Sequence, residues 1–431
     1  LSLHLDGHTS LSVEGNDVVI TSPLGELRQG DLHVFAKMNH DETPIASKFL
    51  VSSESIRFST ANAPQDLPLV IDPIVRSTYA GNCCLAVKDV LEIDGEIYTV
   101  GTYTSQSGST FPQTPGAYTS PNRGNVEGFV LVFTKDLSRL LRGTLIGGSA
   151  ADNVQRVMSV GDSAIVIIGS TASSDYPVTQ DAQQSALAGG SDAVLSVLSK
   201  DLRQLRYSTF HGTDGNENFL SITRDSDSTL ILTGDSRNLS FPVVSGANVG
   251  TGGGADMGIA RYSTRTWRLL TSFNVGGNGN DQLQQCIALN DNTVAFVGQS
   301  VSGFPLPMVG HTTTKPTTST IDALIFRMDA SLSTMLSCTW VGGEGVDGFW
   351  SGIQKRDGDL VVMGSSSNSP KISAITSNAL QSEPQGGGDM IVAVYSSDLA
   401  ALRYCSYLGG SSPDYPHTLG GNCVAELPPS V

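Results

Sequence analysis

The residues best equipped for chemistry are two oxygen-rich turns. Asp214-Gly-Asn-Glu-Asn218 and Asn278-Gly-Asn-Asp281 place carboxylate and amide oxygens beside glycine. Ca²⁺ is held by oxygens of this kind, roughly six to eight of them. Asp214, Asn216, Glu217, Asn280 and Asp281 are therefore the candidate Ca²⁺ ligands, and no other cofactor is read. Neither segment has the twelve-residue spacing of a calcium loop, and Asn, Asp and Gly are also the ordinary residues of turns. Turn chemistry is the favoured reading. Six cysteines, Cys83, Cys84, Cys286, Cys338, Cys405 and Cys423, have no metal-ligand spacing. An even count in an acidic, Ser/Thr/Gly-rich chain points to some disulfides and an oxidising exterior, with fifteen possible connectivities for six cysteines, and reduced, buried cysteines are the alternative. His4, His8, His33, His40, His211, His311 and His417 form no metal pair. There is no Gly-x-Ser-x-Gly elbow, and Gly250–Gly254 lacks the lysine of a phosphate loop. No catalytic residues are read, and the expectation is a protein that is not an enzyme.

Two segments suit modification. Asn238-Leu-Ser240 has the N-glycosylation pattern, making Asn238 a candidate. The stretch 311–320 is rich in Thr, Ser and Pro, with Thr312, Thr313, Thr314, Thr317 and Thr318 as candidate O-glycosylation sites.

What must position these residues is set by composition. The chain has 431 residues, 47 of them glycine, only 15% charged and 39% hydrophobic. Abundant glycine without a collagen period implies many tight turns between short strands. A formal net charge of −16 repels phosphate backbones, so nucleic acid is a poor partner. No run of eighteen apolar residues exists, so no transmembrane helix is expected. The chain opens on Leu1 rather than Met, which reads as a processed or partial N-terminus.

One signature recurs. It reads Arg76-Ser-Thr-Tyr-Ala-Gly81, Arg142-Gly-Thr-Leu-Ile-Gly147, Tyr207-Ser-Thr-Phe-His-Gly212, Thr271-Ser-Phe-Asn-Val-Gly276, Ser337-Cys-Thr-Trp-Val-Gly342 and Tyr404-Cys-Ser-Tyr-Leu-Gly409, and its final glycine returns every 64 to 67 residues. In phase with it run strands ending in Gly101, Gly169, Gly234, Gly298 and Gly364. Aromatic-Pro pairs follow at 111–112, 176–177, 241–242 and 304–305. An acidic residue then opens an alternating strand: Glu127, Asp192, Asp256, Asp322 or Asp389. Each unit holds four strand-like runs, as at 154–160, 164–169, 192–198 and 204–210, and no stretch has helical periodicity.

A single four-stranded sheet cannot cover both of its faces, and packing such sheets around an axis covers them. The fold class is therefore all-β: a β-propeller of four-stranded blades behind a small β-rich N-terminal domain or cap. The domains are 1–73 and 74–431, with repeats at about 82–147, 148–212, 213–276, 277–342 and 343–409. Strands at 74–81 and 418–427 are expected to close the ring as a composite sixth blade. The glycine ending each signature is expected at positive φ in a tight turn. The recurring acid is expected to accept N–H groups of the turn before its strand.

Leu402-Arg-Tyr-Cys-Ser-Tyr-Leu-Gly-Gly410, followed by Asp414 and preceded by Gly386-Gly-Gly-Asp389, resembles the SBBP-type β-propeller repeat of bacterial surface and secreted proteins. The resemblance spans 74–427, and Pro68-Leu-Val-Ile-Asp-Pro73 leading into Ser77-Thr-Tyr79 resembles the junction with an N-terminal β-domain in those proteins. It implies a propeller, seven-bladed by the family's name, whereas five complete repeats stand here. It implies no shared catalytic set. The expected function is an extracellular or cell-surface structural, adhesive or assembly-forming propeller. Its expected partners are protein subunits or glycans. A ligand- or glycan-binding propeller is the alternative, and a lyase or glycosidase a more distant one.

Overall fold

The computed structural model describes residues 2–4, 10–14, 17–22, 25–29, 33–38, 41–52, 55–61 and 69–72. It also describes 84–411, apart from 121–123, 136, 227, 238–240, 245–253, 302–309, 313–320, 344, 368–371 and 373. Every regular element described is a strand. Nine form three small sheets at the N-terminus: β1 (Ser2–His4), β2 (Ser10–Glu14), β3 (Asp17–Ser22), β4 (Gly25–Gln29), β5 (His33–Met38), β6 (Asp41–Pro44), β7 (Ser47–Val51), β8 (Ser55–Thr60) and β9 (Leu69–Asp72). The sheet orders are β1-β8-β7, β2-β3-β4 and β6-β5-β9. Val18, Ile20, Phe49 and Ile56 make a core of their own there.

The remaining twenty strands are five antiparallel four-stranded sheets, each in sequence order. Blade one is β10 (Leu85–Ile93), β11 (Glu96–Thr104), β12 (Val126–Thr134) and β13 (Leu140–Ile146). Blade two is β14 (Asp152–Val160), β15 (Ala164–Thr171), β16 (Asp192–Ser199) and β17 (Leu205–His211). Blade three is β18 (Asn216–Ser226), β19 (Thr229–Arg237), β20 (Ala255–Ser263) and β21 (Leu269–Val275). Blade four is β22 (Asp281–Ala288), β23 (Val294–Ser300), β24 (Asp322–Met328) and β25 (Met335–Val341). Blade five is β26 (Asp347–Gln354), β27 (Leu360–Ser366), β28 (Asp389–Tyr395) and β29 (Leu402–Leu408). This is the blade architecture of a propeller. The expected closing strands, 74–81 and 418–427, lie outside the described residues.

Faces are covered by neighbours, as expected for blades. β16 and β24 are buried along their whole length, so both faces of their sheets are packed. Hydrophobic clusters bridge blades one and two, two and three, three and four, and four and five. β28 behaves differently: Ile391, Ala393 and Tyr395 are buried, while Met390, Val392 and Val394 between them are half-exposed. One face of blade five is thus covered less completely than the faces shared between blades.

The aromatic residues of the aromatic-Pro pairs fold their loops onto the sheets. Phe111 lies against Tyr103 and Phe129, Tyr176 against Phe210, and Phe241 against Phe219. Phe304 lies outside the described residues.

Candidate functional site: the axial channel and the acidic corners between blades

The first strand of every blade faces one shared cavity of about 720 Å³. Each of these strands carries a β-bulge at the same place, at Lys88, Gln155, Leu220, Gln284 and Trp350. A bulge re-aims the side chains that follow it and breaks the ladder locally. The residue after each bulge is polar: Asp89, Arg156, Ser221, Gln285 and Ser351.

Three of them reach across to the next blade. Asp89 Oδ2 accepts the Val157 N–H at 3.0 Å, Ser221 Oγ the Cys286 N–H at 3.2 Å, and Gln285 Oε1 the Gly352 N–H at 2.7 Å. Each donor stands one residue past the equivalent position of the following blade, so the inner strands are stitched side chain to backbone around the axis. Arg156 has no acceptor to offer at this position; its Nη1 donates to the Gln155 carbonyl at 2.9 Å. Burial raises the Asp89 carboxyl above its ordinary range, opposed by the Val157 N–H and the Arg156 charge. Lys88, Thr223, Asn290 and Gln354 complete the polar lining, among apolar residues such as Met158 and Ile222. A cavity of this size with scattered polar groups has the dimensions of a small-molecule site.

The second strand answers the bulge with its glycine. A Cβ added at Gly101, Gly169, Gly234, Gly298 or Gly364 would stand 1.8–2.0 Å from the carbonyl oxygen of Ala86, Asn153, Asn218, Gln282 or Gly348. These glycines are fixed by close approach of backbone.

The acidic residues gather at the corners between blades. Glu127, Asp192 and Asp389 accept N–H groups of Gly124, of Ala188 and Gly189, and of Gln385, all in the turns preceding their strands. The first strand of the next blade opens with a second acid. Asp152, Glu217, Asp281 and Asp347 accept the N–H four residues earlier, from Gly148, Thr213, Gly277 and Gly343, at 2.6–3.0 Å. The two acids meet over the signature glycine. A Cβ at Gly212 would lie 2.6 Å from both Asp192 Oδ1 and Glu217 Oε2, and one at Gly147 would lie 2.2 Å from Glu127 Oε2 and 2.5 Å from Asp152 Oδ2. The expectation of positive φ is corrected here. None of Gly147, Gly212, Gly276, Gly342 and Gly409 has it, and glycine is needed because carboxylates occupy the space of a side chain, a pair at Gly147, Gly212 and Gly276 and Asp322 or Asp389 at Gly342 and Gly409. Pairing like charges out of water favours the protonated forms. Glu217 is pushed up to about 7, first by burial and then by the charge of Asp192, while Asp281 is pushed up to about 6 by burial and Asp256.

The five candidate Ca²⁺ ligands are separated by this geometry. Glu217 and Asp281 are buried turn caps, whereas Asp214, Asn216 and Asn280 are exposed. Asn216 and Asn280 open parallel bridges between blades, with Ser191 and Ala255. Among the described residues, no three His, Cys, Asp or Glu side chains form a group able to hold a metal.

Cys286, Cys338 and Cys405 are corrected from disulfide candidates to buried free thiols. Each lies inside a hydrophobic cluster, and burial pushes Cys286 up to about 11 and Cys405 up to about 12. Cys84 is not a free thiol, and Cys83 and Cys423 lie outside the described residues. So do Asn238, Thr313, Thr314, Thr317 and Thr318. Thr312 is half-buried, its N–H donated to Thr339 Oγ1 and its hydroxyl beside His311. His211 is a core histidine, enclosed by Phe219, Phe241 and Tyr262 and held neutral by burial, with its pKa lowered to about 3. Sequence reading missed Asp89, Arg156 and Gln285, because a bulge interrupts the period-two alternation that would have assigned them a face.

Residues 1–74 match a family described as a domain of unknown function (DUF7948). No curated protein matches. Among solved structures, a structural genomics protein of unknown function from Bacteroides thetaiotaomicron is similar over 83% of this chain and 82% of its own, at 9% identity and a TM-score of 0.29. Pyrococcus horikoshii acylaminoacyl peptidase is similar over 95% of this chain and 52% of its own, at 7% identity and a TM-score of 0.34. The chain thus spans about half of that peptidase. Likenesses this distant bear on neither activity nor ligand. None of the matches names the SBBP repeat. Among the described residues, no helix is long and apolar enough to cross a membrane.

Proposed function

We propose that this chain is a non-catalytic binding scaffold of the cell exterior, an SBBP-type propeller that holds an axial channel and its surrounding loops in fixed register for a protein or glycan. One observation carries the reading: side chains from five blades converge on a single channel, while most of the buried corner carboxylates, which acid–base chemistry would need, serve as acceptors for turn N–H groups. The channel's Asp89 is occupied in the same way, by two backbone N–H groups. An exterior location is supported by the acidic, Ser/Thr/Gly-rich composition and by the resemblance to surface and secreted proteins. Adhesion to glycans and assembly with protein subunits are two uses of the same rigid frame.

The test follows binding and bond cleavage together. The chain is incubated with a panel of oligosaccharides while complex formation and new reducing ends are measured, and sedimentation velocity reads self-association. Complexes or concentration-dependent association without reducing-end release are expected. Sustained release that disappears in Asp89→Asn would replace the scaffold by a glycan-cleaving enzyme.

A further inference from the structure

The turn joining the third and fourth strands of each blade contains one residue at positive φ: Leu137, Leu202, Trp267, Leu332 and Leu399, at 56–63°. This conformation is unfavourable for bulky side chains, so tertiary packing must hold it. Leu202, Leu332 and Leu399 are buried and plug the clusters beneath them. In the four leucine blades the residue donates its N–H three residues back, to Thr134, Ser199, Asp329 or Ser396. Blade three departs twice. Within a turn of the same span, closed by Ser263 N–H on the Arg268 carbonyl, its positive-φ residue stands one position later, with Trp267 donating to Ser263, and that residue is tryptophan where the other four have leucine.

The tryptophan packs against the core shared by blades two and three without being enclosed by it. It is half-buried, stacked on the Tyr207 ring at 5.7 Å between centroids and 17° between planes, and it lines a cleft of about 640 Å³. The loop 181–183 also lines the cleft, pinned by the Gln183 N–H donated to the Tyr207 hydroxyl at 3.2 Å. Asp181, Gln183, Thr266 and Arg268 line the cleft and are exposed. It therefore offers an aromatic platform ringed by an acceptor carboxylate, an amide, a hydroxyl and a five-donor guanidinium. Such a set suits a ligand with one apolar C–H face and hydroxyls around its edge, which is a pyranose ring. The net charge of −16 argues against an anionic sugar.

We propose that this cleft is a subsite for one neutral pyranose unit of an extracellular polysaccharide, with the Trp267 indole as platform and Asp181, Gln183 and Arg268 as hydrogen-bond partners of its hydroxyls. The proposal rests on the scaffold reading and gives it a ligand class.

The test titrates the whole chain with cellohexaose, chitohexaose and mannohexaose, following tryptophan fluorescence and heat. Trp267→Leu restores the residue that four blades already carry, and circular dichroism and melting confirm that it folds. Saturable binding of at least one hexasaccharide with a fluorescence change is expected. Binding should weaken at least about tenfold in Trp267→Leu and measurably in Arg268→Ala, at an exposed position. If Trp267→Leu binds a hexasaccharide as tightly as the parent, the subsite is overturned while the scaffold reading stands. If the parent binds none of the three, the subsite is overturned and only protein contacts remain for the scaffold.

Discussion

Glu217 shows how a single residue can report on the packing of two blades. Its oxygens accept the Thr213 N–H and the hydroxyls of Thr213 and Ser236, yet its carboxyl is pushed up to about 7 by burial and by Asp192. A raised carboxyl means that the folded chain binds more protons than the unfolded one between the ordinary value of 4.5 and about 7. Its contribution to stability is complete below that window and is lost as pH rises through it. His211 acts with the opposite sign. Lowered from 6.5 to about 3, it contributes above its ordinary value and loses that contribution as pH falls. Stability should therefore pass through a maximum at mildly acidic pH. Glu217→Gln, which keeps one carbonyl acceptor, should flatten the alkaline limb by on the order of 2 kcal/mol between pH 5 and 8 while leaving the acid limb in place. Urea unfolding of both proteins across that range measures this, and parallel profiles would refute the raised carboxyl at the corner.

At the level of the strand pair, each blade depends on a bulge facing a glycine. Gly234 has the Asn218 carbonyl where its Cβ would stand, 1.8 Å away, and that carbonyl belongs to a strand paired with β19 on both sides of its bulge. Neither backbone can retreat without breaking ladder bonds. Gly234→Ala should cost more than about 3 kcal/mol. Gly95 offers the comparison: its φ is +79° and nothing lies within 4 Å of an added Cβ. Gly95→Ala should cost only the local strain, about 1 kcal/mol. Denaturant unfolding separates the two cases, and equal costs would remove the close-approach explanation. These recurring strand-ending glycines were legible as a pattern. Their reason was not, because it lies in a carbonyl on another strand.

For the molecule as a whole, the clusters decide cooperativity. The cluster around Phe349 and Tyr395 includes Val297 and Ile325 of blade four, and the one around Phe219 includes Val166 and Leu195 of blade two. No interface between described blades lacks such a shared core, so a blade that opens strips its neighbour of cover. The five blades should melt in one calorimetric transition, with calorimetric and van't Hoff enthalpies agreeing for that transition. A staircase of blade-sized transitions would show that the shared cores do not couple them, as happens in long open repeat arrays.

Local pattern alone determined the all-β class, four strands to a unit, the period near 65 residues and, in blades one, two and five, the acid that caps the turn before the third strand. These rest on alternation, turn chemistry and repetition, all readable within a few residues. Tertiary structure decided the rest: that Glu217 and Asp281 meet Asp192 and Asp256 instead of Asp214 and Asn280, that Cys286, Cys338 and Cys405 stay reduced, and that Asp89, Arg156 and Gln285 face one axis. Each of these depends on which residues of different blades come within a few ångströms of one another, and sequence spacing holds no record of that distance.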